Sequence, residues 1–224
     1  MTAAVSSRAD SMRTIPTRLA VLAAFFVIVP AGLIPVGCLS PRPPIEVRYF
    51  DPANPVSTDR PAPSASDVSD ALALQKGRAT ASASLGERIV WRLSNVELAF
   101  DERNRWADPP ATLLDRALNE RLFGAGAFAA TGDPDSAELF VHLEAFEGRL
   151  DATPAEARIM IEARVRHRGG LETVRRFLVS EPLRSDDAAS LAGAMGPAIA
   201  RAADLIAEFA DTTIRSQPGA SGRP

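Results

Sequence analysis

The regular alternation at residues 157–165 is the clearest pattern in the chain. Ala157, Ile159, Ile161, Ala163 and Val165 fall on one side, and Arg158, Glu162 and Arg164 on the other. A period of two with one polar side predicts a strand whose sheet has a wet face. Residues 139–146 repeat the pattern, with Leu139, Val141, Leu143 and Ala145 aligned. Gly169-Gly170 predicts a turn, and residues 171–179 a returning strand. Residues 88–93 and 96–100 read as strands joined at Ser94-Asn95, a tight hairpin. Residues 72–78 read as a further strand, weakened by Gly77, and residues 79–86 as a loop of small residues.

Two segments change period. After Asp108-Pro109-Pro110, Leu114, Leu118 and Leu122 recur every four residues, while Arg116, Asn119, Glu120 and Arg121 fall largely on the opposite side. This predicts an amphipathic helix with Asp108 as cap, stopped by Gly124 and Gly126. Residues 186–210 predict a long helix with a stripe of Leu191, Met195, Ile199, Ala202, Ile206 and Phe209. Ser185 is its expected cap, with Asp186 and Asp187 in the first turn; Pro197 is expected to kink it. The order of strands, helix, strands, helix predicts one α+β domain over residues 71–212: an antiparallel sheet with two main helices packed on one face. Residues 213–224 read as a disordered tail.

The segment ahead of this body sets the compartment. Residues 1–18 are polar and carry Arg8, Arg13 and Arg18 against Asp10; residues 19–34 then run without a charge. Small and apolar residues follow, up to Cys38, the only cysteine. A basic start, an apolar run and a small-residue end make a secretory signal peptide over residues 1–37. With Gly37 directly before Cys38, the segment resembles a bacterial lipoprotein signal, which implies acylation of Cys38 as the first mature residue. Pro35 stands where that pattern usually has Leu, and an uncleaved signal-anchor helix is the alternative. Several acyl chains, at about 0.8 kcal/mol per buried CH₂, would anchor the chain firmly. Leu39 follows the cysteine; the resemblance implies sorting to the outer membrane, on the leaflet facing the periplasm. Residues 38–70 hold seven prolines with many Ser, Asp and Ala, a linker composition. Within it, residues 45–50 alternate apolar and charged, which predicts a short strand docked on the domain edge.

Charge and candidate chemistry narrow the function. The net charge of −3 argues against a nucleic-acid binder. Removing residues 1–37, with their three Arg and one Asp, takes it to −5. One cysteine excludes an intramolecular disulfide framework and a cysteine-rich metal site. His142 and His167, the only histidines, lie on different predicted elements without metal-ligand spacing. His142 is expected on the sheet's other side and His167 exposed beside its turn. No nucleophile elbow, P-loop or dinucleotide motif is present. Asp133–Asp135 read as a turn. No cofactor, catalytic residue or metal site is expected. Trp91 reads as core. Trp106, flanked by Arg105, is either a packing staple or, with Arg105, partner-facing.

Residues 89–93 (Ile-Val-Trp-Arg-Leu), Asn104-Arg-Trp-Ala-Asp-Pro-Pro110, Leu113-Leu114 and Leu118 together resemble the ABC-type transport auxiliary lipoproteins, the paraquat-inducible protein C group among them. Tyr49-Phe50-Asp51-Pro52, Glu181-Pro182, Asp186-Asp187 and the Ala-rich last helix match its opening and closing parts, so the likeness covers residues 38–210. The resemblance implies a non-catalytic periplasmic lipoprotein serving an ABC transporter whose substrate-binding component carries mammalian-cell-entry (MCE) domains. It implies lipid as the cargo, the MCE protein and the ABC permease and ATPase as partners, and a ring-shaped homo-oligomer. Two other classes stay open: an adaptor of a different envelope assembly or secretion system, and a periplasmic hydrolase or metal-dependent enzyme.

Overall fold

The computed structural model describes residues 45–52, 71–124, 127–167 and 169–216. The strands are β1 (Arg48–Phe50), β2 (Leu72–Lys76), β3 (Thr80–Ala81), β4 (Arg88–Ser94), β5 (Glu97–Trp106), β6 (Phe128–Ala130), β7 (Ala137–Arg149), β8 (Glu156–Arg166) and β9 (Glu172–Pro182). The helices are α1 (Pro110–Asn119), which runs on as a π-helical turn over Glu120–Gly124, and α2 (Ala188–Arg215). The architecture is α+β, a single domain, as the pattern predicts.

β7 is the spine. Along one edge it pairs antiparallel with β8 for its whole length, from Glu138↔Arg166 to Arg149↔Glu156. β8 in turn carries β9 antiparallel. The other edge of β7 is shared in succession by three strands, all parallel to it: β2 at residues 137–139, β3 at His142 and Leu143, and β4 at Gly148 and Arg149. β6 lies parallel beside β2. β4 and β5 form the expected hairpin, and β1 adds parallel to the end of β5, Phe50 opposite Trp106. The sheet is therefore mixed rather than antiparallel throughout. The meander half is the part with long local alternation. In the parallel half, β7 holds β2, β3 and β4, while β6 is held by β2 and β1 by β5.

The alternation delivers the core. Ala157, Ile159, Ile161, Ala163 and Val165 are all fully buried. Leu139, Val141 and Leu143 continue that face on β7. α1 sets Leu113, Leu114 and Leu118 against it, and Leu122 from the π-helical turn joins them. α2 lies across β8 and β9 and buries Leu191, Met195, Ile199, Ala202 and Ile206, with Phe209 edge-on to Phe177 at 5.8 Å.

Several local expectations are corrected. Asp108 does not cap α1; Pro109 holds the cap position, and the Asp108 carboxylate instead pairs with Arg116 in the second turn of the helix. α2 starts two residues later than expected. Asp187, not Ser185, is its cap, accepting from the Ser190 N–H at 2.8 Å, while Ser185 Oγ donates to the same carboxylate at 2.6 Å. Asp187 thus stands at the cap, and no acid lies in the first turn. Pro197 lies inside the helix, which continues to Arg215. The loop of 79–86 contains β3, and β6 has no counterpart among the expected strands. Gly126, the signal peptide and most of the linker fall outside the described residues.

Candidate interaction surface

The face of β7, β8 and β9 that the helices leave uncovered is built of rows fixed by strand register. Glu138, Arg166 and Glu172 form one row, followed by Phe140, Arg164 and Val174, then His142, Glu162 and Arg176. Past a bulge in β7 come Ala145, Met160 and Leu178, and then Glu147, Arg158 and Ser180. Opposite charges pair, both across strands and along β8. Arg166 reaches Glu138 through Nε at 2.8 Å. Arg164 sits between Glu162 at 3.0 Å and Glu172 at 3.3 Å. Arg176 bridges Glu144 at 3.2 Å and Glu162 at 3.4 Å. The hydrogen bond from Arg164, with the charge of Arg176, holds the Glu162 carboxyl below its usual range. A shallow groove of ≈ 460 Å³ crosses this face between Thr80, Phe140, His142, Arg164 and Arg166. His142 does stand on this outer side, its Nδ1 at 2.9 Å from Thr80 Oγ1.

These arginines are committed to carboxylates, so the face is a charge-balanced ladder and not an anion site. Its unmatched feature is apolar: Phe140 is 39 %, Val174 48 % and Leu178 61 % exposed. A second apolar group lies at the tip of the β4–β5 hairpin, where Leu93, Val96, Leu98 and Leu150 are exposed. Beside it, a hollow of ≈ 360 Å³ is lined by Trp91, Leu93, Leu150, Asp101 and Asp187. Polar-rimmed apolar surface suits contact with another macromolecule. Among the described residues, no group of His, Cys, Asp and Glu could hold a metal ion. No described helix is long and apolar enough to cross a membrane.

The Asn104–Pro110 signature is structural. Trp106 is fully buried, edge-on to Phe146 at 5.2 Å, so it is a core residue and does not face a partner. Its N–H donates to the Glu87 carbonyl at 2.7 Å, and the next N–H, of Ala107, donates to Phe50 at 2.8 Å. Those two bonds tie β1 and the loop before β4 to this strand end. Arg105 spends its guanidinium locally, on the carbonyls of Asp101, Glu102 and Asn104. Burial pushes the Asp101 carboxyl up. Bonds from the Asn104 side chain, the N–H groups of Arg103 and Asn104, and Trp91 Nε1 outweigh it, and the group stays below its usual range. Trp91 is buried, as expected of a core residue. His167, expected exposed, is half-buried; burial pushes its pKa down, and its Nε2 has no partner among the described residues. Cys38 lies outside the described residues.

Two ion pairs join residues that no sequence motif links. Lys76, the only lysine, has a side chain just 4 % exposed and reaches Asp115 on α1 at 2.6 Å. Glu147, on the outer face of β7 but only 3 % exposed, is held by Arg92 through two bonds at 2.7 and 3.0 Å. The partners lie 39 and 55 residues apart along the chain, so neither pair shows in a local pattern.

Comparison with known proteins places the chain. The profile of the ABC-type transport auxiliary lipoprotein component matches residues 56–207. No curated protein matches. A crystal structure of a Xanthomonas campestris protein superposes with a TM-score of 0.63 at 21 % identity, covering 76 % of this chain and 100 % of that one. The crystal structure of an uncharacterized protein follows with a TM-score of 0.54 at 19 % identity, covering 73 % of this chain and 98 % of its own. At these identities the two structures speak for the fold alone. The profile runs from within the linker to two turns before the end of α2, and on that match the chain belongs to the ABC-type transport auxiliary lipoprotein component family.

Proposed function

We propose that this protein is the non-catalytic, lipid-anchored adaptor of an ABC transporter that moves lipid between the two envelope membranes through an MCE-domain protein. The family match over residues 56–207 carries the reading. Cys38 receives the lipid after removal of residues 1–37 and holds the chain in the inner leaflet of the outer membrane. With β1 docked on β5, the tether from Cys38 to the domain is residues 39–47, a reach of roughly 15–18 Å as a random coil and more where proline extends it. That reach lets the domain search for a periplasmic partner while tethered. The domain then works by contact, through the apolar positions beside the charge ladder and at the β4–β5 tip. A surface whose Arg164, Arg166 and Arg176 are already neutralised holds register and excludes wrong partners more than it adds raw affinity. Self-association of the domain is part of this reading.

The test is affinity purification of the full-length protein from detergent-solubilised membranes, with the bound proteins identified by mass spectrometry. The reading expects an MCE-domain protein together with ABC permease or ATPase subunits. Recovery of a secretion or lipopolysaccharide-assembly complex instead would replace it.

A further inference from the structure

We propose that the tip of the β4–β5 hairpin seats reversibly in the headgroup layer of the bilayer that holds the Cys38 lipid. This rests on the anchoring reading above and divides its two apolar groups: the ladder is left to the protein partner, and the tip is assigned to lipid. Val96 at the apex is 96 % exposed, and Leu93, Leu98 and Leu150 are exposed beside it. These side chains do not share one face. Leu98 is the register partner of Arg92, whose side chain bonds Glu147 on the outer face of the sheet. Leu93 lies on the other side of the ribbon, with Trp91 and Ala99 around the hollow that Leu150 also lines. A flat protein surface covers one side of a ribbon, whereas a headgroup layer surrounds its end on both sides. An apolar group held in that layer buries itself at the boundary with the acyl chains.

The course of the chain selects this membrane. β1 runs parallel to β5, and β5 leads away from the tip, so the polypeptide enters the domain travelling away from the tip. Register sets Tyr49 opposite Arg105, and Arg105 opposite Arg88. From Arg88, β4 runs to Ser94 at the tip, roughly 20 Å at the usual strand rise. Residues 39–47 reach about 30 Å when fully extended, so the tip meets the bilayer within the length of the tether. Charge decides the kind of surface. The flanking Arg92 and Arg149 are held by Glu147 and Asp151. Glu97 is exposed beside Val96, and Asp101, Asp186 and Asp187 line the hollow. An apolar tip with acidic flanks fits a zwitterionic surface, whose headgroup ammonium groups can face the carboxylates, and gains nothing from an anionic one.

The experiment uses the full-length lipidated chain in vesicles of phosphatidylcholine and phosphatidylethanolamine. Lipid attachment consumes the thiol of Cys38, the only cysteine, so an introduced cysteine is the single site for a fluorophore. Asn95→Cys reports on the tip, and Leu171→Cys on the opposite end of the sheet; both side chains are exposed, so the fold tolerates the changes. With a nitroxide on the lipid headgroup, the proposal expects at least fivefold stronger quenching at Asn95→Cys than at Leu171→Cys. Adding Val96→Asp and Leu98→Asp removes that excess, Val96→Leu keeps it, and phosphatidylglycerol in the vesicles does not raise it. No excess at Asn95→Cys, in vesicle-bound protein of acylated mass, overturns the proposal and leaves the anchor standing. A chain without acyl mass whose Cys38 takes the dye overturns the anchor and the proposal together. In cells, a photoreactive group at Asn95 that joins to protein and never to phospholipid overturns the proposal as well.

Discussion

Lys76 shows what a single residue does here. In a chain whose other basic residues are all arginine, the one lysine is buried under α1, and Asp115 is its counter-ion, also accepting from the Ala79 N–H at 2.8 Å. Removing one partner of a buried pair leaves the other uncompensated. Asp115→Ala is expected to cost about 3 kcal/mol in urea unfolding, since Asp115 is itself partly wet, whereas Lys76→Met with Asp115→Leu recovers most of that loss. Burial pushes the Asp115 carboxyl up, but the bonds from Lys76 and Ala79 outweigh it and hold the group below its usual range. The unfolded chain thus binds this proton more readily. The stability Asp115 contributes is complete above its unfolded pKa of about 3.9 and fades as pH falls through the lower folded value. An Asp115→Asn variant should show a shallower acid limb; an unchanged limb would mean the pair is not formed. Gly148 is the second case. A Cβ there would lie 2.4 Å from the Trp91 ring and 3.2 Å from Leu191, so Gly148→Ala should cost about 1–3 kcal/mol through overpacking. Neither residue was legible in the sequence, because each is defined by a neighbour far along the chain.

At the scale of elements, the sequence was legible wherever one segment carried its own periodicity. β8 matches its alternating stripe to within one residue at each end, and α1 with its π-helical turn buries every leucine the four-residue repeat selected. β3 and β6 were missed because two or three residues cannot display a period; they exist only because β7 and β2 offer an edge. The caps were misplaced by one or two residues for a related reason. Asp108 and Ser185 are good capping residues, but their side chains bond Arg116 and Asp187 instead. The central place of α1 gives a direct check. Leu118 is fully buried, so Leu118→Asp sets a charge in an apolar layer and should leave no cooperative thermal transition. A normal melting curve for that variant would contradict the packing of α1 against β7 and α2.

For the whole molecule, the surface is where legibility ran out. The signature around Trp106 points to the family, yet it works inside the fold, tying three segments together. The outward ladder on β7, β8 and β9 emerges only when register sets Arg and Glu in rows, which no single strand reveals. The anchor, in contrast, is argued from sequence alone. Cys38→Ala should move the protein from the membrane fraction to the soluble one or leave the precursor unprocessed, and fractionation with intact mass distinguishes these from the acylated wild type. Unchanged membrane fractionation of the Cys38→Ala protein, at wild-type mass, would remove lipidation from the account. The most direct measurement of the central claim is chemical cross-linking in intact cells that express the full-length protein, followed by mass spectrometry of its adducts. The account predicts an adduct with an MCE-domain protein of the same cell. Adducts that include none of the cell's MCE-domain proteins would contradict it.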